Sequence, residues 1–159
     1  MSDEPKPAAT PSRRQAARLA AVQALYQWQE GEHAPAEIIE QFLNVRTGEA
    51  GEGGMRRDAD RPLFKDVVEG TVAHKDELEQ TVSSALAKDW TWGRIDRLVR
   101  AILLAGAYEL VHRRDVPPKV AINEYVEIAH AFYDQGEPTF VNSVLDRVAR
   151  QERSAELTR

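Results

Sequence analysis

The sequence contains no cysteine. That absence excludes a disulfide framework, thiol catalysis and every thiolate metal site, and it suits a reducing compartment. Long apolar runs are missing too: no segment approaches the ~20 continuous apolar residues that cross a bilayer. The opening MSDEPKPAATP has no apolar stretch of the kind a signal peptide carries. A cytoplasmic protein with no membrane partner is therefore expected. Histidine is scarce. His33, His74, His112 and His130 show no i, i+4 pairing with one another and no His-Glu-x-x-His arrangement, so no metal ligand is expected and each reads as an exposed or capping residue. No serine sits in a Gly-x-Ser-x-Gly turn, and the glycine-rich stretch 47–60 is followed by no Gly-Lys-Ser/Thr. Neither a catalytic residue nor a cofactor is indicated, and the chain does not read as an enzyme. Acids outnumber bases, 26 to 21, for a net charge of −5. That balance argues against a non-specific coat for nucleic acid but leaves room for a local basic patch.

Strands are the next absence, since no segment alternates with period two. What remains is helical spacing throughout, and the expected fold is all-α with about seven helices. At 159 residues the chain is one domain's length and needs no staple to hold its core. The expected organisation is a disordered leader over 1–11, a single helical domain over 12–152 and a flexible tail over 153–159. Ser12 and Gln15 have the spacing of a capping box, which starts a helix at Arg13. In that helix Ala17, Ala21, Ala24, Leu25 and Trp28 share one arc while Leu19, Val22 and Tyr26 lie nearly opposite, so it touches neighbours on two sides. Gly31 closes it and Pro35 opens a second helix. The stretch 47–60, with four glycines and no periodicity, reads as a long mobile loop dispensable for folding. Apolar spacing resumes at Pro62, with a break near His74. The segment from Ile95 to Val111 is the most apolar helix and is expected to be central. Two further helices follow, the last opening at Pro138.

The first helix poses the functional question, because it opens with arginines and no acid. Cations at a helix N-terminus are unfavourable by a few tenths of a kcal/mol. Arg14 and Arg18 share a helix edge with Arg13 beside them. They either pair with acids of a neighbouring helix or hold phosphate. Tyr26 and Phe140 could supply rings on which single-stranded bases stack, or could be ordinary core.

Three stretches, ARLAAVQALYQWQ, then YEL…DVPPKVAINEYVEIAHAF, then FVNSVLDRV, resemble the NusB transcription antitermination factor family in order and spacing. The resemblance covers roughly 12 to 150. It implies a fold of two packed three-helix bundles and a non-catalytic RNA-binding adaptor. Such proteins pair with NusE, a protein of the small ribosomal subunit, and grip the boxA element of nascent RNA. They thereby help the RNA polymerase antitermination complex through terminators, notably in ribosomal RNA operons. The resemblance places the RNA surface on Arg13, Arg14, Arg18, Tyr26 and Phe140, with Lys119 a weaker candidate. Replacing the three arginines with Gln is then expected to leave stability unchanged or slightly raised. Three positions depart from the family pattern: Gln15 where an Arg is common, Thr139 where a Lys is frequent, and Gly106 where a larger residue stands. The first two would weaken the patch, and Gly106 would thin the core. Two rival readings are an accessory domain like that in front of RNA-cytosine methyltransferases and a helical adaptor that binds only protein.

Overall fold

A computed structural model of the chain describes residues 11–44 and 55–157. Among them are eight α-helices and no strand: α1 (Arg13–Gln29), α2 (Pro35–Leu43), α3 (Arg61–Ala73), α4 (Lys75–Ser84), α5 (Arg97–His112), α6 (Pro118–Phe132), α7 (Glu137–Glu152) and the single turn α8 (Ser154–Leu157). Helices α1, α2 and α3 form one three-helix bundle and α5, α6 and α7 a second, with α4 laid against α5 and α7. The two bundles meet mainly where α1 and α3 pack on α5.

Local chemistry sets the helix boundaries. The Ser12 hydroxyl accepts from the Gln15 N–H at 3.0 Å, satisfying one of the donors a helix start leaves open. Gly31, at φ +79°, turns the chain out of α1 in a conformation that L side chains rarely adopt. The Asp60 carboxylate caps α3 by accepting from the Leu63 N–H at 3.1 Å. Pro35, Pro62, Pro118 and Pro138 all fall at the first or second helical position, where a missing N–H costs nothing. The break near His74 is real, for that residue ends α3 and begins α4.

All ten residues 101–110 of α5 are buried, the pattern of a helix apolar all round and surrounded on every side. Helix α1 buries a different composition, Ala16, Ala17, Ala20, Ala21, Val22, Ala24 and Leu25. Its small side chains let neighbouring backbones come close. Phe42 of α2 and Phe64 of α3 close the first bundle, their rings 5.5 Å apart.

Three expectations need correction. Gly106 does not thin the core: a Cβ there would lie 2.8 Å from Leu145 Cδ1 and 3.4 Å from Tyr125 Cγ. Its missing side chain is the space those residues fill. The described part of the expected mobile loop 47–60 is packed down. Residues 47–54 lie outside the described residues, but Met55 and Ala59 are each 3% exposed and the Asp60 N–H donates to the Arg13 carbonyl. Apolar burial and backbone pairing fasten 55–60 to the start of α1. The domain also runs past 152. Arg153 is buried, donating to the carbonyls of Val116 at 2.8 Å and Arg114 at 3.0 Å and pairing with Glu156 of α8.

The bundles also meet across Gly70, where an added Cβ would overlap the Tyr108 ring. That ring is held by its hydroxyl, which donates to Asp66 at 3.0 Å. Alanine is the better helix former by about 1 kcal/mol, yet overpacking a fixed ring costs about 1–3 kcal/mol. Gly70→Ala is accordingly expected to lower the urea midpoint, while Gly93→Ala, which meets nothing within 4 Å, leaves it unchanged. A midpoint raised by Gly70→Ala would mean that the ring moves freely.

Candidate nucleic-acid interface

The basic start of α1 divides within two turns. Arg13 is exposed, and its Nε donates to the Asp58 carbonyl at 2.7 Å. The Arg14 side chain is 71% exposed, with its Nε 3.9 Å from the Asp60 carboxylate. At that distance and exposure the pair contributes little, and both guanidiniums keep donors free for a ligand. Arg14 also lines a cleft of about 170 Å³ with Arg113 of the α5–α6 connection. The sequence reading passed over Arg113, whose guanidinium pairs with Asp66 at 2.7 Å. Burial acts to lower the Arg113 pKa, but the hydrogen bond and charge of Asp66 raise it more, so it stays charged.

Arg18 also lines that cleft, but it is committed to partners inside the protein. It is 3% exposed, and its Nε and Nη2 donate to the two oxygens of Glu109 at 2.8 and 2.9 Å. The Tyr125 hydroxyl donates to the same carboxylate, and Glu124 lies 3.8 Å from Arg18 Nη1. One turn separates Arg14 from Arg18, and in that turn α1 passes from solvent to the cover of α5 and α6. Burial opposes the Arg18 charge, the hydrogen bond and charge of Glu109 favour it, and the net pKa is raised. Burial and then the Glu109 charge push the Tyr125 hydroxyl well above its ordinary pKa, so it remains a donor. The sequence held one signal for this pairing, an acid inside the apolar run AILLAGAYEL.

The aromatic candidates stand elsewhere. Tyr26 lies thirteen residues beyond Arg13, about 20 Å along the axis. It is half-buried with the Arg97 guanidinium 5.6 Å above its ring, and it lines a cleft of about 640 Å³ with Asp96, Leu98, Phe132 and Tyr133. The Tyr133 hydroxyl donates to Asp96 there. Phe140, in the first turn of α7, is half-buried against the core, its ring 5.1 Å from that of Trp90 at 47°. Trp90 is 45% exposed and escaped the sequence reading, although the aromatic pair in DWTWG marked it. Lys119 is exposed in the first turn of α6, just after Val116, which lines the Arg14 cleft. The structure thus places Arg13 and Arg14 at one end of α1, with Lys119 exposed on α6. It sets Tyr26 at the other end, and Phe140 in a separate aromatic pair with Trp90. Gln15 is half-buried and Thr139 exposed.

The expectation that replacing all three arginines leaves stability unchanged or slightly raised fails at Arg18. Removing one partner of a buried pair strands the other charge, at a cost of about 3–5 kcal/mol. Arg18→Gln is expected to lower unfolding free energy by that amount in a urea titration, and Arg14→Gln to change it by no more than about 0.5 kcal/mol. Equal effects of the two substitutions would contradict the assignment.

Comparison with known proteins adds the family. Residues 15–150 match the model of the NusB family. The transcription antitermination protein NusB of Rhizobium rhizogenes (strain K84 / ATCC BAA-868) is 46% identical over 151 residues, covering 95% of this chain and 94% of its own. That of Rhizobium etli (strain CIAT 652) is 47% identical over 156 residues, covering 97% and 98%. Among solved structures, T. maritima NusB superposes with a TM-score of 0.73 at 25% identity, covering 95% of this chain and all of its own. A crystal structure of antitermination factors NusB and NusE in complex with dsRNA shares the fold, with a TM-score of 0.71 at 23% identity over 87% of this chain and 97% of that one. With a family model spanning most of its length and near-full-length relatives well above 30% identity, this chain belongs to the NusB family.

Proposed function

We propose that the chain is a non-catalytic, RNA-binding transcription antitermination factor that pairs with the small-subunit ribosomal protein NusE, binds boxA-type single-stranded RNA and supports transcription of ribosomal RNA operons within the RNA polymerase antitermination complex. The observation that carries this reading is near-full-length similarity, at 46–47% identity, to proteins named for transcription antitermination. Those relatives are named as antitermination proteins and not as methyltransferases, which favours a factor of this kind over the accessory domain of an RNA-cytosine methyltransferase. Among the described residues no helix is long and apolar enough to cross a membrane, in keeping with work beside nascent RNA in the cytoplasm.

In this reading Arg13 and Arg14 hold phosphates at one end of α1, and Lys119 holds phosphate on α6. Tyr26 and Phe140, the latter with Trp90, offer faces for bases. Arg18 takes no phosphate and instead fixes the helix that presents the other two. The protein-only adaptor remains the second reading, since the same arginines would also suit an acidic partner.

A salt titration with NusE and a boxA RNA separates the two. Each phosphate contact to a single strand contributes about −0.7 to the slope of log affinity against log salt. Arg13→Gln with Arg14→Gln is therefore expected to flatten the slope by about 1.4 while thermal stability holds. Phe140→Ala is expected to weaken RNA binding by ~1–3 kcal/mol. An adaptor for protein alone would show no salt-dependent RNA binding, and an unchanged slope in the folded double variant would remove the arginines from the contact.

A further inference from the structure

We propose that His74, Glu77 and His112 form a binding site for a divalent transition-metal ion of the zinc type, at the joint of α3 and α4 beside the end of α5. Two elements bring the three together: His74 is the residue shared by the ends of α3 and α4, Glu77 lies in the first turn of α4, and His112 is the last residue of α5. Their donor atoms all lie within 4.8 Å of one another. Glu77 Oε2 is 3.2 Å from His74 Nδ1, and Glu77 Oε1 is 3.2 Å from His112 Nε2. In a tetrahedral zinc site with ligands at 2.0–2.1 Å, the donor atoms stand about 3.3 Å apart. Each imidazole nitrogen has that separation from a different oxygen of Glu77, so a turn of the carboxylate and closure of the two nitrogens would bring one donor from each residue to that spacing.

The two imidazoles stack with centroids 4.1 Å apart at 23°, so one exposed ring has to turn for both nitrogen lone pairs to meet at a single ion. The Tyr108 ring backs His112 at 5.4 Å. The hydroxyl of that tyrosine is anchored on Asp66, so the wall behind the site is held in place. The His74 backbone is fixed on both sides, donating to the Gly70 carbonyl at 3.0 Å and accepting from the Leu78 N–H at 2.9 Å. The histidine side chains are 42% and 27% exposed and that of Glu77 48%, which leaves room for water to complete the coordination. Two imidazoles and one carboxylate suit zinc, copper or nickel, whereas magnesium and calcium prefer all-oxygen shells. Sequence spacing carried only part of the site: His74 and Glu77 stand three apart, but His112 is 35 residues from Glu77.

The test uses the tag-free full chain. Calorimetric titration with Zn²⁺ is expected to show one site per chain, and Co²⁺ to give the visible absorption of a four- or five-coordinate ion. His74→Gln and His112→Gln should each weaken Zn²⁺ binding by about tenfold or more. His33→Gln, which alters the other histidine–acid pair, at 3.3 Å from Glu37, should leave it intact. Zn²⁺ should raise the thermal midpoint of the wild type and not of His112→Gln. Wild-type protein that gives neither heat nor a Co²⁺ band overturns the proposal without recourse to any variant. Zn²⁺ binding that persists in both His74→Gln and His112→Gln overturns it equally, leaving Glu77 as an acceptor between two imidazoles and nothing more. The readouts do not involve RNA or NusE, so this site and the proposed function stand or fall separately.

Discussion

The contact of Arg18 with Glu109 is the constraint on which the arrangement of the two bundles depends. Two opposite charges sit out of water where α1, α5 and α6 meet, and each must recover its lost hydration from protein partners. The penalty of burying such charges is offset only by close, two-pronged geometry and by further hydrogen bonds. Both are present, in the paired 2.8 and 2.9 Å contacts and in the Tyr125 hydroxyl on the same carboxylate. Apolar packing constrains the faces by shape alone, whereas this pair also requires two charged groups to meet. It therefore acts as a specifier of how α1 lies on the second bundle more than as a large source of stability.

The alanines around Arg18 belong to the same solution. With Ala17, Ala20, Ala21 and Ala24 at the contact, α1 can approach its neighbours closely enough for a guanidinium to reach a carboxylate on α5. Gly70 and Gly106 play the matching part elsewhere, each leaving room for a ring or a leucine from a facing helix. The C-terminal end is drawn in by another arginine, Arg153, which satisfies carbonyls in the α5–α6 connection. Arginine is thus used in two ways in this protein. Where it is buried it binds helices together, and where it is exposed it is available to a ligand.

Helix α1 consequently works as a rigid ruler. Its first turn, steadied by Ser12 and by 55–60, carries the exposed guanidiniums, and its far end carries Tyr26 beside the cleft of about 640 Å³. A nucleic acid or protein partner that used both ends would have to follow the helix for about 20 Å. The separation is fixed because the turn between them is pinned by the buried pair.

Much of this was legible in the sequence. Helical periodicity, prolines at first-turn positions and the Ser12 cap are local signals, and local signals survive without knowledge of the partner surface. They determined the all-α class, the start of α1, the break at His74 and the central place of α5. The family motifs, being extended and ordered, carried the two-bundle arrangement and the proposed role. What the sequence could not determine was which side of a residue becomes the inside. Arg14 and Arg18 share an edge by spacing, yet only the packing of α5 and α6 decides that one meets water and the other Glu109. Gly106 was read as a loss of volume because the atoms that occupy that volume belong to Leu145 and Tyr125. Met55 and Arg153 fell in segments whose composition resembles loop and tail, and only the surfaces they meet make them core. His74, Glu77 and His112 came together in the same way, through the folding of α5 back onto the α3–α4 joint. Burial and convergence are properties of pairs of elements, and a linear pattern reports on one element at a time.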